Sequence, residues 1–139
     1  MFEAEAQGVH KHIRLEDDSL LVEYSFSRNH GDTFRVEINL AMPSCDGPAG
    51  RFRIAGEIPG GFGQRHEIDN LKQIALEDDV LGGALHVHTS LPCTFVSAPH
   101  FSVSQSEAGF EKIMQAVTLE LSWPIAMIKN HLTVRINIF

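Results

Sequence analysis

At 139 residues, with 43% hydrophobic and 21% charged side chains, the chain has the size and composition of one ordinary globular domain, long enough to bury a core without disulfides or a structural metal. A formal net charge of −7, with no basic cluster larger than the Arg51 and Arg53 pair, excludes a nucleic-acid binder, because an acidic surface repels phosphate backbones. No apolar run reaches the roughly 18 residues of a membrane span. The acidic start Met1-Phe2-Glu3-Ala4-Glu5-Ala6 lacks the order of a signal peptide, so a cytoplasmic protein with no membrane partner is expected.

Along the chain the dominant pattern is period-two alternation, the signature of a strand with one wet face. Residues 12–16 alternate through Ile13 and Leu15. Leu20, Val22, Tyr24 and Phe26 then point one way, with Glu23, Ser25 and Ser27 opposite. After Asn29-His30-Gly31-Asp32 the pattern returns in Phe34, Val36, Ile38 and Leu40, and a polar loop containing Gly between two such runs predicts a hairpin. Shorter strands are predicted over 72–77, 83–90 and 94–97, with loops at 43–50, 59–63 and 78–82. The polar run 102–111 reads as a solvated loop. Val117, Leu119, Leu121 and Trp123, followed by Leu132, Val134, Ile136 and Ile138, repeat the hairpin pattern. No apolar stripe of 3.6-residue period is long enough to predict a helix. Seven or eight strands, each with one apolar face, are satisfied most simply by an all-β fold, an antiparallel two-sheet β-sandwich in a single domain over residues 1–139; a barrel is the alternative.

Residues that could carry chemistry are few. His86-Val87-His88 places two imidazoles on one strand face, about 7 Å apart at the α-carbons, where they could chelate a metal with His100 or Glu107 as third ligand. Their bland alternative is a solvated polar face, since Leu85 and Val87 claim the core side. Asp17-Asp18 and Asp78-Asp79 sit in predicted turns, where Asp bonds its own backbone, and nothing marks a cleft around Glu107 and Glu111. Gly-x-Ser-x-Gly is absent. Cys45 and Cys93 are too few for a disulfide scaffold and lack the local signature of an activated thiol; both read as free, with a single bridge the alternative. Gly60-Gly61-Phe62-Gly63 lacks the Lys-Ser/Thr ending of a phosphate loop. No cofactor is expected. Among aromatic rings that could form a sugar platform, Trp123 continues an inward row and defaults to the core, Phe62 between glycines is expected to be exposed, and Phe110 lies outside the clearest core faces.

Val103-Ser104-Gln105-Ser106-Glu107, then Gly109-Phe110-Glu111 and Gln115, resembles a motif in the β-sandwich domain that follows the catalytic barrel in α-amylase-like and 4-α-glucanotransferase enzymes of glycoside hydrolase family 57. Pro99 stands where that motif's proline would, and the strands around Leu20-Leu21-Val22-Glu23-Tyr24 and residues 34–40 are similar to the domain's opening strands. Where the family motif often continues Gln-Gly, this chain has Gln115-Ala116. The resemblance implies a galactose-mutarotase-like (supersandwich-type) accessory domain, either excised from a larger enzyme or free-standing, whose partner is the catalytic barrel of the same enzyme and whose ligand, if any, is an α-glucan. Ser104, Gln105, Ser106, Glu107, Glu111 and Gln115, with Phe62 and Trp123, are then candidates for carbohydrate or domain contact, and no catalytic residue carries over. A homo-oligomer is compatible with this reading. A free-standing metal or small-molecule binder using His86 and His88 is the competing one.

Overall fold

The computed structural model describes residues 2–27, 31–42 and 48–138. Nine strands follow in chain order: β1 (Phe2–Ala6), β2 (Val9–Leu15), β3 (Ser19–Phe26), β4 (Thr33–Leu40), β5 (Gly50–Arg53), β6 (His66–Asp78), β7 (Gly83–Ser106), β8 (Gly109–Pro124) and β9 (His131–Ile138), with one short 3-10 turn, Ile125–Met127, between the last two. Every strand pairing is antiparallel. The fold is an all-β sandwich, as the alternation predicts.

One layer runs in the order β1-β2-β3-β9-β7-β6-β5, and the other adds β8 and β4 beside the far half of β7. β7 serves both layers. Its first part, Leu85 to Thr89, pairs with β9, and its later part, from Thr94 on, pairs with β8. Between them the ladder with β6 is broken. Leu71 faces Cys93 and Gln73 faces His88, so residues 89–92 of β7 lie opposite Lys72 alone. Pro92, with no N–H to give a ladder, sits in this bend. β6 turns with it through a bulge in which Asn70 takes φ 59°, a left-handed conformation that Asn tolerates better than most residues.

Both predicted hairpins are corrected. β3 pairs with β2 and β9, whereas β4 pairs with β8, so the two alternating runs lie in different layers. β8 and β9 are separated in the same way. Alternation tells which side of a strand is apolar but says nothing about its neighbour, and here the two apolar faces meet across the core. Phe34 of β4 meets Tyr24 and Phe26 of β3 edge-on, with ring centroids 5.1 and 5.0 Å apart. Asn29 and His30, central to the first predicted turn, lie outside the described residues, as does most of the predicted 43–50 loop, Cys45 included.

The core is the interleaving of those faces. Val22, Tyr24 and Phe26, Leu132 and Val134, Val87, Ile74, Leu76 and Phe52 come from one layer, and Val36, Val117, Leu119, Leu121, Trp123, Cys93 and Phe95 from the other. Trp123 is fully enclosed (0% exposed), stacks on Phe34, and donates its indole N–H to the carbonyl of Leu91 at 3.0 Å. The hydroxyl of Thr89 donates to the same carbonyl at 2.7 Å, so the bend in β7 is held from two sides. Phe62 is corrected as well: it is 1% exposed and packs edge-on against Phe52, because the glycines around it let residues 60–63 fold back onto β5. A Cβ at Gly60 would collide with the side chains of Gln64 and His66, which explains glycine there. Cys93 is a free, buried thiol whose pKa burial pushes up to about 11, so it is protonated and unreactive at neutral pH.

Two stability predictions arise from this packing. Trp123→Ala should cost roughly 3–5 kcal/mol in urea unfolding, through the cavity it leaves, and Trp123→Phe should cost less but still lose the bond to Leu91. Ala55 and Gly56 form a two-residue turn with φ 51° and 83°, closed by paired bonds between Ile54 and Glu57. A left-handed alanine is strained, so Ala55→Gly should raise the unfolding free energy by roughly 0.5–1 kcal/mol. An unchanged or lowered urea midpoint would contradict it.

Candidate functional site

The polar run 102–111, read from sequence as a loop, is the tip of a two-stranded ribbon. β7 and β8 continue past the sandwich as a pair, Phe101 opposite Met114 through Ser106 opposite Gly109, closed by a tight turn at Glu107 and Ala108. The hydroxyl of Ser106 donates to the carbonyl of Gly109 at 3.2 Å and Gly109 takes φ 115°, which favours glycine at that position. Sequence reasoning missed this because serine and glutamate are weak strand formers and the run carries no continuous alternation. What it did carry was the apolar set Phe101, Val103 and Phe110, spaced to fall on one face once the strands pair.

Directly opposed residues share a face of the ribbon. One side therefore carries Phe101, Val103 and Gln105 facing Met114, Lys112 and Phe110, and the other carries Ser102, Ser104 and Ser106 facing Ile113, Glu111 and Gly109. Val103 and Phe110 are 67% and 78% exposed, although they are large apolar side chains. The Lys112 ammonium lies 4.1 Å above the Phe101 ring, a cation–π contact. Of the candidate contact residues, the structure brings Ser104, Ser106 and Glu111 together on the polar side, puts Gln105 beside Phe110 on the apolar side, and sets Glu107 in the turn. Gln115 falls at the ribbon's root, where the register shifts between His100 and Phe101 and leaves it unopposed in the ladder. Ala116, at the family's usual glycine, pairs with His100. Trp123 and Phe62 belong to the core and cannot offer a sugar platform; Phe110 is the exposed ring.

His86 and His88 do share a strand face, on the outside of the larger layer, with ring centroids 6.4 Å apart and planes within 17° of parallel. His100 belongs to the far part of β7 and Glu107 to the ribbon turn. Among the described residues no group of three or more His, Cys, Asp or Glu side chains is placed to hold a metal ion.

The same outer face carries ion pairs and a groove. Glu77 accepts from Arg51 at 3.0 Å and from Arg53 at 2.9 Å, and Arg51 also reaches Asp79 at 3.1 Å. Across the layer, Arg135 bridges Glu16 at 2.8 Å and the Ser19 hydroxyl at 3.0 Å. Asp78 is enclosed at the end of β6, where its carboxylate accepts the N–H groups of Val80 and Leu81, a turn role as the sequence predicts. Between the turn after β5 and the bulge of β6 lies a groove of about 400 Å³.

The described residues thus form an antiparallel β-sandwich from which an amphipathic ribbon projects. A sequence profile of the family described as "Alpha-amylase/4-alpha-glucanotransferase, C-terminal" matches residues 2–136, and the chain belongs to that family. Among solved structures, the crystal structure of 4-alpha-glucanotransferase from Thermococcus litoralis shares the fold, with a TM-score of 0.63 and 23% sequence identity. That match covers 94% of this chain but 18% of the other, so the chain spans less than a fifth of that protein's length. No curated protein matches.

The electrostatics of the outer face predict a pH response. The Arg53 hydrogen bond, then Arg51, holds the Glu77 carboxyl below its ordinary 4.5, and the Arg135 hydrogen bond does the same for Glu16. Burial, then the neighbouring His86 and Arg135 charges, lowers His88 below its ordinary 6.5. All three shifts favour the deprotonated form in the fold. Each therefore contributes stability present above the group's ordinary value and lost as pH falls through the folded one. Urea midpoints should begin to decline below about pH 6.5 and fall further below about 4.5. Glu77→Gln should flatten the lower part, and His88→Gln the upper. Parallel curves for the variants and the parent would refute the assignment.

Proposed function

We propose that this chain is the non-catalytic C-terminal domain of an α-glucan-processing enzyme of the glycoside hydrolase family 57 kind, and that its ribbon is the surface that seats it on the catalytic barrel of that enzyme. The observation that carries the reading is the coincidence of three things on residues 101–113: the family-like motif, the exposed apolar face and, among the described residues, the lack of a third strand. A two-stranded ribbon is marginal in water without a further layer, and an exposed apolar face of this kind marks a contact site. The occupant is the enzyme's own catalytic portion because the family is by description a C-terminal one and its solved relative is more than five times the length matched here. The apolar face carries one charge, that of Lys112, so it fits an apolar patch bearing a carboxylate.

The competing metal-binding reading has only the shared strand face of His86 and His88 in its favour, with no group of three ligands placed to hold a metal among the described residues. Ribbon docking predicts that Val103→Ser and Phe110→Ser lower the heat-inactivation midpoint of the enzyme carrying this domain by several degrees while leaving the chain by itself unchanged, since neither side chain enters its core. An enzyme midpoint that does not move would remove the docking role. Amide chemical shifts of the chain titrated with maltooligosaccharides test direct glucan contact: shifts confined to the ribbon around Phe110 would make it a glucan platform instead, and a concentration-dependent dimer lost in Phe110→Ser would make the occupant a second copy.

A further inference from the structure

The groove on the outer face is not part of the ribbon and has its own chemistry. Its wall and floor are small and apolar, from Ala55, Leu71 and Ala75, while its rim carries Arg53, Lys72, Gln73 and His86. Every one of those rim groups can donate a hydrogen bond, and among the described residues no carboxylate lines it. In a chain of formal charge −7, a concavity lined by two cations and no carboxylate is against the average of the surface.

The groove is also built. Arg53 is held in place by Glu77 at 2.9 Å and by the carbonyl of Gly56 at 3.2 Å, which fixes the plane of its guanidinium while Glu77 offsets part of its charge. Lys72 forms no ion pair among the described residues and supplies an unneutralised cation. His86, on the next strand, faces Ala75 across the ladder, as Ala75 faces Arg53, so the donors ring a floor only one methyl high. Two left-handed residues other than glycine border it: Ala55 on one side and Asn70, immediately before Leu71, on the other. A strained alanine in a turn that Asn or Gly would close more easily is the kind of outlier that marks a site.

We propose that this groove binds a phosphorylated sugar, its phosphate held by Lys72 and the Arg53 fork and the C–H face of its ring laid on Ala55, Leu71 and Ala75. The phosphate follows from two cations, Arg53 and Lys72, on a rim with no carboxylate: Arg and Lys at one rim match phosphate oxygens by charge and geometry. A neutral sugar would offer the Lys72 and Arg53 charges no counter-charge. The sugar part rests on the reading of the domain as a piece of an α-glucan enzyme, and the groove's volume suits one or two rings.

The test is a set of amide chemical-shift titrations on the chain with glucose 1-phosphate, inorganic phosphate and maltotriose. Glucose 1-phosphate should shift residues 53–56, 71–75 and 86, weakening as salt rises. Inorganic phosphate should shift the same amides more weakly, and maltotriose should leave them still. Lys72→Gln, an exposed position that the core does not use, should weaken glucose 1-phosphate binding about tenfold, whereas Phe110→Ser, on the ribbon, should not change it. No shift at those amides with roughly 20 mM glucose 1-phosphate, or a Lys72→Gln variant that binds as well as the parent, overturns the proposal. So does maltotriose binding at the same amides, or equal affinity for phosphate with and without the sugar. Absence of α-glucan turnover by the enzyme carrying this domain would sink the domain reading by a separate measurement, and a silent groove would leave that reading standing.

Discussion

The carbonyl of Leu91 is the point on which this architecture turns. β7 has to leave one layer and enter the other, and at the bend it loses its ladder partners and passes through Pro92. A free backbone acceptor there, buried among apolar side chains, would cost on the order of 1–3 kcal/mol. Thr89 and Trp123 supply its two bonds, one from the strand's own near half and one from β8 in the opposite layer. The indole thus does what an aliphatic side chain could not. It fills the space between layers and holds the crease against the facing sheet. Everything beyond the crease, including the ribbon, takes its direction from it.

Inside and outside are divided by parity. From β3 through β9, β7 and β6 to β5, one set of alternate residues forms the core and the other set forms a polar outer face whose members meet in rows: Arg135 beside His88 beside Gln73, and Asn137 beside His86 beside Ala75 beside Arg53. The ion pairs on this face are half exposed and worth little singly in water. Their effect is orientation. A guanidinium anchored to Glu77 presents its remaining donors in a fixed plane, which is how a surface ion pair and a binding groove come to share a residue.

How much of this could be read from the residues divides along the same physical line. Alternation is a local property of a strand, so Leu20 to Phe26, Phe34 to Leu40, Val117 to Trp123 and Leu132 to Ile138 were legible as strands with their inner faces assigned. Pairing is not local. A polar, Gly-containing run reads the same whether its flanking strands pair with each other or not, and the pairing of β3 with β2 and β9 and of β4 with β8 shows that they do not. Phe62 misled for a related reason. Glycine neighbours normally signal an exposed turn, but here they allow the backbone to approach β5 closely enough to bury the ring. The motif around Ser104 and Glu107 was legible as a family mark and illegible as structure, since its residues are poor strand formers held extended only by each other.

That last point bears on what a projecting ribbon is for. Residues 101–113 receive nothing from the core except at the root, where Met114 is buried and the bulge at Gln115 turns the pair outward. An element so poorly supported belongs to the low end of local stability and opens readily, and a chain under no other constraint would shorten it to a tight turn near Ala116 and His100. Its length and its segregated faces are explained if the missing layer is supplied by another body. β7 contributes His86 to the groove before the crease and Phe101 through Ser106 to the ribbon after it. One continuous strand thus links the two surfaces, and the bend at Leu91 sets the direction in which it passes from one to the other.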